Sequence, residues 1–90
     1  MVKEFVDNDN GYLAWIRNNP TGFVINAERN PSKRYLKLHK ATCGTITSGK
    51  RENWTRTQYM KICSQTKEEL ANWAERKLAG KLDPCRICNP

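Results

Sequence analysis

Two residues separate Cys85 from Cys88, and three separate His39 from Cys43. A C-x2-C pair lets a tight turn aim two sulfurs at one ion. An H-x3-C pair can do the same from a strand end or a first helical turn. Together the four residues make a Cys3His set, and that mixture of nitrogen and sulfur suits tetrahedral Zn2+. The stretch between the pairs has room for one strand and one helix, so the pairs can meet. A redox role for Cys85 and Cys88 would need them to open a helix after a strand, and no helical pattern follows Cys88. Cys63 is a fourth thiol in an apolar stretch. It is either a small buried core residue or a replacement for His39 in the ligand set.

Such a set needs elements to hold it. Ninety residues allow one domain, 1–90, with a core too small to give more than thin stability, which a metal would supplement. Asn8, Asp9 and Asn10 offer N-cap side chains, and Tyr12, Leu13, Trp15 and Ile16 follow at helical spacing. Asn18-Asn19-Pro20 stops that helix. Phe23 to Asn26 reads as a strand. Arg34 to Lys40 alternates, with Leu36 and Leu38 on one face and Tyr35, Lys37 and His39 on the other. The two strands can pair as a hairpin. Residues 44–56 read as a long loop carrying Ile46 and Trp54. Thr57 to Cys63 is a third strand, with Tyr59, Lys61 and Cys63 on one face. Thr66-x-x-Glu69 fits a capping box ahead of a Leu70, Trp73, Ala74, Leu78 stripe, and Gly80 fits the C-cap. The expected fold class is α+β. A short three-stranded sheet carries an N-terminal helix, a longer C-terminal helix and a zinc knuckle near Pro90.

The net charge of +7 is unevenly placed. From Arg29 to Lys61, nine basic residues face a single acid, Glu52, which leaves +8; the rest of the chain carries −1. A contiguous basic stretch favours a polyanionic partner, nucleic acid first. Arg34, Lys37, Lys40, Lys50, Arg51 and Arg56 are the candidate phosphate contacts. Thr45, Thr47, Ser48 and Asn53 could add hydrogen bonds. Trp54 could stack on a base or wedge into a groove, or it could anchor the loop in the core. Trp15, Tyr35 and Trp54 could line a pocket for a base.

No secretory leader or membrane-spanning run is visible, so a cytoplasmic protein is expected, and there paired cysteines favour metal over disulfide. No acid/base pair, phosphate loop or nucleophile–histidine arrangement is present. Asp7, Asp9 and Glu28 make no obvious second metal site. The expectation is a monomeric, non-catalytic module with no small-molecule substrate. Two alternatives stand beside it. Tyr12, Trp15 and Phe23 could form an exposed patch of a protein-interaction or accessory domain from a bacterial repair or restriction system. A thiol could instead accept an alkyl group.

Residues 35–90 resemble the Ada-type metal-binding domain. The resemblance lies in His39-x3-Cys43, in Cys63-Ser64 followed by Glu68-Glu69-Leu70-Ala71, and in Pro84-Cys85-x2-Cys88-Asn89-Pro90. It implies a small three-layer zinc fold that contacts DNA, which places DNA ahead of RNA as the partner; residues 1–34, a helix–strand extension, are not part of the pattern. In the DNA methylphosphotriester repair protein of that family, the first ligand is a thiolate that accepts a methyl group. Here His39 matches that position, and an imidazole is not an equivalent nucleophile. The histidine form is similar to modules appended to thermonuclease-like proteins, where the zinc is structural.

Overall fold

The computed structural model describes residues 1–47 and 53–90. The helix capped by Asn8 forms as α1, Asp9–Asn18, with the Asn8 side chain accepting the Gly11 N–H. The three expected strands also form. They are β2 (Phe23–Glu28), β3 (Leu36–Lys40) and β4 (Tyr59–Ser64), counted after a first strand, β1 (Lys3–Phe5). Helix α2 spans Lys67–Leu78, and a last two-residue strand, β5, is Asp83–Pro84.

The sheet has five strands, not three, in the order β1-β4-β2-β3-β5. β1 and β5 are the additions, and both are edges. β2 pairs antiparallel with β3 as the expected hairpin, and with β4 on its other side. β1 pairs antiparallel with β4, and β5 runs parallel to β3. β2, from residues before 35, therefore lies between the two longer strands that come after it. Pro84 sits on an edge, where its missing N–H removes no ladder bond.

Alternation along the strands gives the sheet two covered faces. On one, Ile25, Ala27, Leu36, Leu38, Met60 and Ile62 pack against Leu70, Trp73 and Ala74 of α2. Each large apolar side chain buried there contributes roughly 1.5–3 kcal/mol. On the other, Val24 and Cys63 pack with Tyr12 and Ile16 of α1, with Ile46 and Trp54 of the long loop, and with Cys43 and Cys85. The result is three layers, α1 and the loop over one face and α2 over the other. Tyr12 is fully buried, so it contributes nothing to an exposed aromatic patch.

Two end signals differ from expectation. Thr66 Oγ1 accepts the Glu69 N–H at 3.2 Å, as a capping box requires. The return bond runs through Ser64, whose hydroxyl accepts the Thr66 N–H at 3.4 Å and donates to Glu69 at 3.0 Å. At the other end Ala79, not Gly80, takes the left-handed conformation. Gly80 is needed for space, since a Cβ there would lie 2.8 Å from the Lys33 Cβ and 3.0 Å from a Leu36 methyl.

Candidate metal centre and sheet-face cavity

His39 is the penultimate residue of β3, and its imidazole lies on the α1 side of the sheet, opposite Val24. The chain then turns, with Cys43 N–H donating to the Lys40 carbonyl, and enters a single 3-10 turn, Gly44–Ile46. That turn holds Cys43 back over His39. β5 supplies the other half. Its parallel register sets Pro84 beside Leu38, and the Cys85 N–H donates to the Leu38 carbonyl at 2.8 Å. Cys85 is thereby delivered next to His39. The turn that follows closes with Asn89 N–H donating to the Cys85 carbonyl, and it swings Cys88 inward.

The ligand atoms of His39, Cys43, Cys85 and Cys88 all lie within 4.8 Å of one another. Tetrahedral zinc with bonds of about 2.3 Å to sulfur sets ligand atoms roughly 3.8 Å apart, so the four fit one ion with small adjustment. The group can therefore hold a metal. Cys63 is not part of it. That thiol is fully buried in β4, where burial pushes its pKa far up, and it serves as core.

The surroundings favour cation binding. Ile87 N–H donates to Cys85 Sγ at 3.4 Å, and Lys40 N–H donates to Cys88 Sγ at 3.3 Å. Burial pushes the Cys85 thiol up, but the backbone N–H groups of Cys88 and Ile87 and the thiols of Cys88 and Cys43 outweigh it and hold the pKa below its ordinary value. Burial and the Cys43 and Cys85 sulfurs push Cys88 up to about 11. A bound cation would favour the thiolate form of the sulfurs around it. Burial, then the Lys61 and Lys37 ammonium groups, lower His39 to about 4, which leaves the neutral imidazole that a metal requires. Thr45 Oγ1 lies 3.0 Å from Cys43 Sγ and 3.4 Å from His39 Nδ1, so it links the two ligands of the first pair.

The described candidate phosphate contacts differ in their surroundings. Arg34 makes a two-pronged pair with Glu28, at 2.8 and 2.6 Å, and Lys37 pairs with Asp83 at 2.6 Å. Their charges are partly offset by acids outside the basic segment. Lys40 and Arg56 are exposed, and Arg86, on the knuckle, joins them. Lys50 and Arg51 lie outside the described residues, as does Ser48. Trp54 is buried, with its ring 6.3 Å from Tyr12, and so acts as a loop anchor rather than a free stacking platform. Lys61, counted among the basic residues, is only 4% exposed. Its ammonium donates to Asn26 Oδ1 and to the Trp54 carbonyl, each at 2.8 Å, and sits 5.8 Å from the Tyr12 ring centre.

Among the described residues, the sheet face beside the metal centre is open. Two adjoining cavities of about 350 and 460 Å³ share Asn26, Tyr35, Thr45 and Ile46. The first reaches His39 and the knuckle, and the second reaches Trp54, Tyr59 and Lys61. Asn26 carried no signal in the sequence. Its place is visible only once β2 is known to lie between β3 and β4. No helix among the described residues is long and apolar enough to cross a membrane. No family model, curated protein or solved structure matches this chain.

Proposed function

We propose that the domain is a zinc-stabilised nucleic-acid-binding module without catalysis of its own, with DNA its first candidate partner. The observation that carries this reading is the convergence of His39, Cys43, Cys85 and Cys88 in a chain of net charge +7. Three thiols and a neutral imidazole select zinc over hard cations. With all four positions taken by protein, the ion has no open site for a substrate, which is the pattern of a structural metal. Exposed Lys40, Arg56 and Arg86 supply positive charge near the knuckle and the loop. Lys37 can exchange its exposed Asp83 partner for a phosphate at little cost, because such ion pairs contribute about 0–1 kcal/mol.

The resemblance of residues 35–90 to the Ada-type domain supports DNA as the partner. His39 stands where that family's acceptor thiolate would be, so methyl transfer is not part of the proposal. The test is a titration of zinc-loaded protein with labelled DNA across a salt series. Affinity should fall linearly on a log–log plot, with a slope of about 0.7–0.9 per phosphate neutralised. Absence of binding at low salt would reject the reading. A methyl adduct on Cys43, Cys85 or Cys88 after incubation with methylated DNA would restore the alkyl-acceptor alternative.

A further inference from the structure

Building on the nucleic-acid reading, we propose that the open sheet face beside the metal centre receives unstacked bases of a single strand. The two adjoining cavities form one trough that runs from Arg86 and Ile87 to Thr57 and Tyr59. Bases inside a duplex cannot reach the floor of such a trough, whereas those of a single strand can. Two aromatic rings line it. Tyr35 and Tyr59 lie 5.7 Å apart between centres, inclined by 53°. Aromatic faces hold bases of any sequence, because every base has a π-face.

The floor also carries a polar reader whose orientation is fixed. The Lys61 ammonium can only donate, so the Asn26 atom 2.8 Å from it must be the carbonyl oxygen. The Asn26 amide nitrogen therefore points the other way, toward the Tyr35 hydroxyl at 3.4 Å and into the trough. An amide nitrogen offers only hydrogens. It pairs with base edges that carry carbonyl oxygens or unprotonated ring nitrogens. Lys61 is thus a positioning residue for Asn26. At the knuckle end, exposed Arg86 and half-buried Lys37, whose Asp83 partner is itself exposed, flank the path for phosphates. Ile87, 75% exposed, gives the lip an apolar contact for a base or sugar.

The experiment measures anisotropy of the zinc-loaded protein with three probes: a mixed-sequence single strand, the same sugar–phosphate strand lacking bases, and the duplex. The base-bearing strand should bind about tenfold or more tightly than the baseless one, as stacking of even one base predicts, and more tightly than the duplex. Asn26→Asp keeps a partner for Lys61 but removes the donor, and Tyr59→Leu removes the ring but keeps apolar bulk. Each should bring the ratio between the two strands toward one, with Tyr59→Leu leaving the affinity for the baseless strand unchanged. Zinc content and thermal unfolding verify that both variants fold; should one fail, the other decides. Salt-dependent binding with equal affinity for both strands, or preference for the duplex, overturns this inference while leaving the nucleic-acid reading in place. No binding to any probe at low salt overturns both.

Discussion

His39 and Cys63 face the same residue, Val24, from opposite sides of β2. Both side chains lie on the α1 face, and only the strand that carries them differs. Strands are about 4.8 Å apart, so the two residues are separated by roughly 10 Å across the sheet. β5 joins the sheet at β3, so the Cys85–Cys88 knuckle arrives beside His39 and leaves Cys63 in the core. The topology, rather than ligand chemistry, decides which of the two could serve a metal.

That relationship separates two substitutions. Cys63→Ala should retain one zinc per chain and cost about 1–2 kcal/mol from the small cavity it leaves. His39→Ala should weaken metal binding severely and lower the thermal midpoint in the presence of zinc. Metal content and unfolding curves of both variants check this, and a metal-free Cys63→Ala protein would contradict the ligand assignment.

Lys61 holds Asn26 and the Trp54 carbonyl from inside the core. Lys61→Met keeps the length of the side chain but strands the buried Trp54 carbonyl and takes the donor from the half-buried Asn26 oxygen. The expected loss is about 1–3 kcal/mol, the cost of one unsatisfied buried polar group. Urea unfolding monitored by tryptophan emission gives the value. A loss below about 0.5 kcal/mol would mean that the ammonium is not a buried anchor.

Asp9 ties α1 to the long loop through the Thr55 N–H at 2.7 Å and the Thr55 hydroxyl at 2.6 Å. Burial works against its ionised form, but those bonds, a Trp54 backbone interaction and the Arg56 charge hold its pKa below the ordinary value. A carboxylate with a lowered folded pKa contributes stability that is present above its unfolded value near 4 and is lost as pH falls through the folded value. Asp9→Asn should therefore be less stable than the parent at pH 7, by about 1 kcal/mol for the weakened hydrogen bonds. The difference should shrink below pH 4. Paired urea melts at several pH values measure it, and a gap that widens in acid would reverse the assigned sign.

Thr66 caps α2, and Ser64 relays the return bond of the box. Thr66→Ala should cost about 1 kcal/mol. Ser64→Ala should cost a similar amount if the relay carries the second donor, because it breaks the link between Thr66 N–H and Glu69. A neutral Ser64→Ala beside a costly Thr66→Ala would show that the relay contributes little.

The longer elements were legible because each carried its own signal. Leu36 and Leu38 alternate with polar neighbours, Leu70, Trp73 and Ala74 repeat at helical spacing, and Asn8 and Thr66 mark helix starts. Spacing pointed to the two candidate ligand pairs but left Cys63 open as a replacement for His39, which only the strand order separates from the cluster. The edge strands were not, because three residues in β1 and two in β5 are too few to show a period, and their pairing depends on partners far along the chain. The same is true of Lys61. Counting charge places it in the basic stretch, whereas alternation in β4 turns it inward, where it donates to Asn26 and the Trp54 carbonyl. The open trough was illegible for the same reason, since Asn26, Tyr35 and Tyr59 meet only through the strand order.

The central claim is that one ion joins the β3 end to the C-terminal knuckle, and metal analysis paired with chelation addresses it most directly. Protein purified under reducing conditions should contain one zinc per chain. A strong chelator should remove it and unfold the domain, since structural zinc contributes roughly 10–16 kcal/mol, more than a core of this size supplies. Protein that contains no metal, or that keeps its fold and thermal midpoint after the chelator has stripped the zinc, would contradict the account.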